Sequence, residues 1–308
     1  FIMLVSVIIP TYKRSSRLAI AIDSVLNQTY KSIEIIVVDD NDNDDYRLET
    51  KLNLSGYIKE NKIKYIEHNV NQGGCKARNT GAENAKGDYL AFLDDDDFYE
   101  PKKIELQVDY LNKNKHLDAC MCHMFRIDEN EKQIISRENK ARGTYLKEAV
   151  LDGNLFTSML LIKQRAFNDL NGFSETPRFQ DKYFHYQFLE KNYKIGVLDE
   201  QLLTLVEHND LRISLSETKK ILIALTILRD FENKHQAVFN KKELKFLSHR
   251  YYFNKAYILC QGDFKQKIKG LINILKSTWY YTGDFNISKT LLKTITPNFI
   301  LNYKILKP

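Results

Sequence analysis

The chain has 308 residues, 43% hydrophobic and 28% charged, with 12 Gly, 5 Pro, 4 Cys and a formal net charge of +6. This length accommodates one large or two modest domains, and the composition excludes a disordered chain, a collagen-like repeat and a disulfide-stapled scaffold. No apolar run is long enough to oblige a helix to span a membrane. Cys75, Cys120, Cys122 and Cys260 are too sparse for a disulfide framework and suit a reducing cytosol. Phe1-Ile2-Met3 lacks the basic and apolar segments of a signal peptide, so none is expected.

The first half alternates strand and helix patterns. Val5 to Ile9 is a β-branched run closed by Pro10, which reads as a buried strand. Leu18, Ile22, Val25 and Leu26 then share one helix face, with Ser15 or Ser16 as the cap. Ile33 to Val38 is a second strand ending at Asp39-Asp40. Arg47 to Glu60 reads as a helix and Ile63 to Ile66 as a third strand. Gly73-Gly74 opens a helix in which Ala77, Gly81 and Ala85 line one face, small enough for close approach to a sheet. Tyr89 to Leu93 is a fourth strand ending in Asp94-Asp95-Asp96-Asp97, and Pro101 suits the first turn of another helix. This alternation predicts an α/β chain with a mostly parallel sheet and ligands beyond the carboxyl ends of its strands. From Leu117 the pattern is less regular, with a strand over Ala119 to Ile127. After Ile213 the spacing is helical throughout.

Asp94 to Asp97 is the strongest local signal. Four adjacent carboxylates repel one another, and a hard divalent cation would offset that repulsion; a solvated acidic turn is the other reading. The stretch Asp39 to Asp45 is not a calcium loop, because Asp45 and Lys51 occupy the places of its glycine and closing glutamate. Asp40 stands just past a strand end, where a carboxylate could accept from a base or ribose. Asn71-Gln72-Gly73-Gly74 lets backbone approach a ligand at a helix start, with Lys76 and Arg78 adding positive charge. Cys120-x-Cys122-His123 has no second ligand pair, so it reads as strand packing rather than zinc.

Taken together, Val5-Ser6-Val7-Ile8-Ile9-Pro10-Thr11-Tyr12, Ser24 to Thr29, Ile36-Val37-Val38-Asp39-Asp40, Ala77-Arg78-Asn79-Thr80-Gly81, Ala85 to Tyr89 and Phe92 to Asp97 resemble the opening of family 2 glycosyltransferases. The match is ordered and dense over 4–101 and looser to about Ser214. It is most similar to bacterial enzymes of capsule, lipopolysaccharide or other surface-glycan synthesis.

The resemblance implies a GT-A fold, with a Rossmann-like sheet flanked by helices and a C-terminal helical domain. Its catalytic domain would be 1–215, with a nucleotide-sugar half at 1–101 and an acceptor half at 102–215, followed by a helical domain at 216–308. It implies that Pro10, Thr11, Tyr12 and Arg14 line the nucleotide and that Asp40 hydrogen-bonds the base, expected to be uracil. Gly73, Lys76, Arg78, Asp94 and Asp95 join them around the donor, with Asp96 on Mn²⁺ or Mg²⁺. Asp181, in Phe179-Gln180-Asp181-Lys182, falls where the family places the general base of an inverting transfer, Gln180 replacing the common glutamate. A helix cap is the alternative for Asp181. His208 reads either as a further metal ligand or as a structural histidine. The Gln-x-x-Arg-Trp motif of processive synthases is absent, and the only tryptophan is Trp279, so one sugar per encounter is expected.

The net charge is unevenly spread. Residues 216–308 hold 15 Lys and 2 Arg against 6 acidic residues, leaving a net of −5 on 1–215. Three readings fit this basic tail: a helical domain with solvated lysines, contact with an anionic membrane surface, and nucleic-acid binding, which no motif accompanies. Lys265 to Lys276 and Leu291 to Lys307 are the stretches best suited to a membrane. The family's acceptors are glycans or polyprenyl-diphosphate-linked glycans, which places the expected site of action in the cytoplasm at the inner face of a bacterial membrane. Two other classes stay open: a nucleotidyltransferase, whose Gly-rich loop after the first strand is missing here, and a non-catalytic subunit of a synthase complex.

Overall fold

The computed structural model describes residues 2–13, 15–207, 218–260 and 264–280. Arg14, the His208 to Ser214 stretch and the Leu291 to Lys307 stretch lie outside the described residues. The chain separates into two units. The first holds the residues up to Ala149, Gly153–Glu175 and the described residues from Gln180 to Glu207; the second holds Val150–Asp152, Thr176–Phe179 and the described residues from 218 on. Two short pieces from before residue 215 thus belong with the C-terminal helices, and no shift in composition marks them.

In the first unit, β1 (Val5–Thr11) and α1 (Ser15–Leu26) are followed by β2 (Ile33–Asp39), α2 (Asp44–Lys59), β3 (Lys64–Glu67), α3 (Gly74–Glu83) and β4 (Tyr89–Phe92). Next come β5 (Phe98–Tyr99), α4 (Lys103–Lys113), β6 (Ala119–Asp128), α5 (Leu146–Asp152, its last three residues assigned to the second unit), β7 (Leu160–Lys163), α6 (Gln164–Asp169), α7 (Gln180–Glu190) and β8 (Ile195–Glu207). The strands form one sheet in the order β3-β2-β1-β4-β7-β6-β8-β5. The half β3-β2-β1-β4 is parallel; β7 runs antiparallel to both β4 and β6, and β8 pairs parallel with β6 and antiparallel with β5. The sheet is therefore mixed, with its parallel part where βα alternation was legible.

β1 continues through Pro10 to Thr11, two residues beyond the apolar run, in register with Val38 and Asp39. The small face of α3 works as expected. Ala77 packs with Ile36 and Val38. At Gly81 a Cβ would overlap Ile8 Cγ2 on β1. Cys120 and Cys122 are fully buried in β6 and unpaired in disulfides. His123 is bonded to Asp199 through Nε2 and to the Ala141 N–H through Nδ1, so strand packing accounts for this motif.

The second unit comprises α8 (Thr218–Lys234), α9 (Lys241–Cys260) and α10 (Phe264–Tyr280). Ile221, Leu225 and Ile258 form one of its cores, against which Phe179, Leu222 and Tyr251 pack. A buried charge cluster accompanies it: Arg250 donates to Glu232 at 2.8 Å and to the carbonyls of Val150 and Leu151, and Arg229 donates to Glu232 at 3.1 Å. Each charge is compensated, as burial requires.

The close approach at Gly81 gives a direct expectation. Ala favours a helix interior by up to about 1 kcal/mol over Gly, yet the added methyl must displace β1, at a cost of about 1–3 kcal/mol. Gly81→Ala is expected to lower the thermal unfolding midpoint; an unchanged or raised midpoint would show that α3 is not held that tightly.

Candidate active site

Parallel pairing brings Thr11, Asp39, Glu67 and Phe92, the last residues of β1 to β4, to one edge of the sheet. The chain builds outward from β1 to β2 and β3, then crosses back to place β4 on the other side of β1. Ligand crevices form where connections diverge in this way. The loops leaving β1 and β4 meet there, and Thr11 Oγ1 donates to Asp95 Oδ2 at 2.7 Å across the gap. The Tyr12 N–H donates to the same oxygen at 3.4 Å. Asp95 and Thr11 therefore hold the two strand ends together.

The acidic run alternates. Asp95 and Asp97 are buried, while Asp94 and Asp96 are partly exposed. Asp97 accepts from the Val206 N–H at 3.2 Å. Burial, together with the charges of Asp94 and Asp96, pushes its carboxyl well above the usual carboxylate range. The negative field of this all-oxygen cluster fits a hard divalent cation. Among the described residues no three His, Cys, Asp or Glu side chains make a ready cation cage. Asp96 is the ligand candidate, and His208 lies outside the described residues.

Asp94 has a different partner. Its Oδ1 accepts from Arg78 Nη2 at 2.5 Å. Arg78 rises from α3, one turn after Gly74, where a Cβ would come within 2.9 Å of Arg78 Nη1. The guanidinium carbon lies 6.0 Å from the centre of the Phe173 ring, and Nη1 makes a long 3.4 Å contact with Gln180 Oε1. Burial works against its charge, but Asp94 and Asp181 hold its pKa above the ordinary arginine value. Its Nε is buried without a hydrogen-bond partner.

Asp181 is in the first turn of α7. It accepts from the hydroxyl and the backbone N–H of Thr157, so its side chain is tied to a neighbouring segment. Burial raises its pKa; the Arg78 charge and the Thr157 bonds pull the other way, and the net shift is upward. Thr157 belongs to a single 3₁₀ turn, Thr157–Met159, whose next residue, Ser158, accepts from the Asp94 N–H at 3.3 Å. One short turn thus registers Asp94 and Asp181 together.

Asp40 is placed less simply. Its Oδ1 meets His68 Nδ1 and the Gln72 N–H, each at 2.8 Å. Its Oδ2 accepts from the Gly73 N–H at 2.8 Å and from Asn71 Nδ2 at 3.0 Å. Four partners take up the acceptor capacity of one carboxylate, so a base could reach Asp40 only by displacing one of them. The carboxylate fixes the loop that starts α3, where Gly73 has φ 84° and so needs glycine. Lys76 is partly exposed on α3, Pro10 is half-buried in β1, and Tyr12 is partly exposed beyond it, its ring 4.7 Å from Lys13 Nζ.

Sequence reasoning missed Thr157, Ser158, His68 and the work of Asn79. Asn79 Oδ1 accepts from the Phe173 N–H at 2.8 Å and its Nδ2 donates to the Phe173 carbonyl at 2.9 Å. It clamps the loop before α7 to α3. Asn79 at least stood inside a visible motif; the others carried no local signal.

The family model described as Glycosyl transferase family 2 matches residues 6–172, more than half of the chain, and the chain belongs to this family. An uncharacterised glycosyltransferase of Rickettsia felis is 30% identical over 297 residues, covering 88% of this chain and 47% of its own length. The chain spans about half the length of the first such relatives. WfaP of Escherichia coli, named as a UDP-Glc:alpha-D-GlcNAc-diphosphoundecaprenol beta-1,3-glucosyltransferase, is 38% identical over 112 residues, or 36% of this chain and 43% of WfaP. S. aureus TarS 1-349 in complex with UDP-GlcNAc superposes with a TM-score of 0.66 at 16% identity, over 94% of this chain and 84% of that one. The fold is GT-A.

Asp40→Ala is expected to release the Asn71 to Gly73 loop. Hydrogen exchange would report it as faster exchange at the Gln72 and Gly73 amides, with the core of β1 still protected; unchanged exchange at both amides would rule out this role.

Proposed function

We propose that the chain transfers one sugar, with inversion, from a UDP-sugar to a hydroxyl of a glycan or polyprenyl-diphosphate-linked acceptor in bacterial surface-polysaccharide synthesis. The observation that carries this is the joint hold on Asp94 and Asp181: one guanidinium lies between them and one 3₁₀ turn bonds to both. Asp94, the first residue of the acidic run, would face the donor, and Asp181 is on the helix expected to face the acceptor. The names of WfaP and of the TarS complex, with their UDP-linked sugars, support a uridine diphosphate donor here.

In this reading Asp181 takes the proton of the acceptor hydroxyl as its oxygen attacks the anomeric carbon. The bond from that carbon to the diphosphate breaks, and the electron pair leaves with the diphosphate. Burial keeps the pKa of Asp181 above the ordinary carboxylate value, which makes it a stronger base than a solvated aspartate. Arg78 and Thr157 limit that rise and leave the group ionisable. A Mn²⁺ or Mg²⁺ ion held by Asp96 would offset charge on the departing diphosphate. Pro10, Thr11, Tyr12, Gly73 and Lys76 would surround the nucleotide, with Thr11 and Asp95 acting through the strand-end clasp. Arg14 and His208 complete the proposed set from outside the described residues. The protein would act at the inner membrane face, with the basic 216–308 segment as its contact. Among the described residues no helix is long and apolar enough to cross a membrane.

Three outcomes test this. UDP binding followed by calorimetry should require Mn²⁺ or Mg²⁺ and be lost in Asp96→Ala; equal metal-independent affinity in both proteins would sink the metal role. Asp181→Asn should bind UDP normally and lose about 10²–10⁴-fold in transfer rate, whereas full activity would remove it from the base role. Thr157→Val deletes a hydrogen bond that favours the charged carboxylate, so the pKa of Asp181 should rise further. The acid limb of the rate profile should then move to higher pH, with activity at alkaline pH largely kept.

A further inference from the structure

One helix of the second unit has two apolar faces, and only one of them is packed. On α10, Ile274 and Ser277 are fully buried, and Ser277 Oγ lies 2.7 Å from His249 Nδ1 of α9. A Cβ at Gly270 would come within 2.6 Å of Cys260 Sγ, so the same face is pressed against the end of α9. The other face carries Ile268, Ile272, Leu275 and Trp279, spaced i, i+4, i+7 and i+11, which aligns them in one stripe. They are 48%, 49%, 59% and 84% exposed. Four large apolar side chains in line on an exposed surface are unusual unless something covers them.

The charges beside the stripe say what that is. The helix contains Lys265, Lys267, Lys269 and Lys276 and no acidic residue. On a helical projection Lys267 falls on one side of the stripe and Lys269 and Lys276 on the other. An apolar strip edged by lysines, with a tryptophan at one end, is the pattern of a helix lying in the plane of a lipid interface. The apolar residues enter the acyl boundary and the lysines meet anionic headgroups. A second copy packed face to face would bring two sets of lysines together with no acidic partner between them. Residues 281–308 hold four lysines and one aspartate, so they too bring little acidic charge to the lysines beside the stripe.

We infer that α10 is an interfacial membrane anchor, with Ile268, Ile272, Leu275 and Trp279 inserting into an anionic lipid surface and Lys267, Lys269 and Lys276 holding its headgroups. This deepens the membrane contact proposed above and rests on that reading for its biological setting, but not for its test.

Trp279 is the only tryptophan in the chain, so intrinsic fluorescence reports on this stripe alone. Adding vesicles of phosphatidylglycerol and phosphatidylcholine to the whole protein should shift its emission to shorter wavelength. Brominated lipids should quench it, and pure phosphatidylcholine should do neither. Ile272→Glu and Leu275→Glu each replace an exposed side chain and should abolish co-flotation with anionic vesicles. Lys269→Gln should weaken partitioning roughly fivefold. No shift with anionic vesicles, an equal shift with phosphatidylcholine, or unchanged flotation of both Glu variants would each overturn the inference. Emission already at short wavelength without lipid would overturn it too, by showing that protein covers the stripe. UDP binding should be the same in Ile272→Glu and the parent chain, so loss of the anchor is separable from failure of the sugar-transfer reading.

Discussion

The active-site geometry hangs on one buried cation. Arg78 has little access to solvent, and a guanidinium in that position persists only if carboxylates answer its charge. Asp94 does so through a direct hydrogen bond, and Asp181 through the field alone. The dependence runs both ways. Without Arg78, the charge of Asp94 would act on Asp181 unopposed by a cation and raise the Asp181 pKa further. The guanidinium thus offsets at Asp181 the charge that Asp94 adds.

Most of the remaining structure serves to place that guanidinium. Arg78 is carried by α3, and α3 can approach β1 only because Gly81 has no side chain to meet Ile8. The start of the helix is set by Asp40, which gathers Asn71, Gln72 and Gly73. Gly74 then leaves room for the guanidinium one turn later. On the other side, Asn79 pins the Phe173 loop to α3, and Phe173 packs against Phe92, Phe167 and Phe184, with ring centres 4.6–5.4 Å apart. A helix with small residues, a saturated carboxylate and an aromatic cluster therefore act on one functional group from three directions.

This arrangement explains which features were legible in the sequence. Val5 to Ile9, the small face of α3 and the acidic ends of β2 and β4 are local patterns, readable because each records its own secondary structure. The mixed half of the sheet is different. β7 enters between β4 and β6, and β5 pairs only with β8, more than a hundred residues later, so no window of sequence contains the reason. The same holds for Thr157 and Ser158, whose significance lies in contacts with Asp181 and Asp94, 24 and 64 residues away. Asp40 shows a different limit of the sequence. Its place past a strand end invites a ligand role, and only the fold reveals the four partners that already surround it.

The unequal charge of the two regions follows from the same electrostatics. The acidic run needs positive charge nearby, and α3 supplies it with Arg78 at a single point, against Asp94. Asp97 remains raised despite this, since the burial of Asp97 and the charges of Asp94 and Asp96 act on it together. A fixed guanidinium settles the geometry once. In the proposed reaction it could not adapt to a diphosphate that leaves with added charge. A divalent cation held by Asp96 would offset that charge. The division of labour expected at this crevice is therefore a permanent cation for position and a diffusible one for chemistry. Excess lysine beside the acidic run would serve neither purpose, in line with the net −5 carried by residues 1–215.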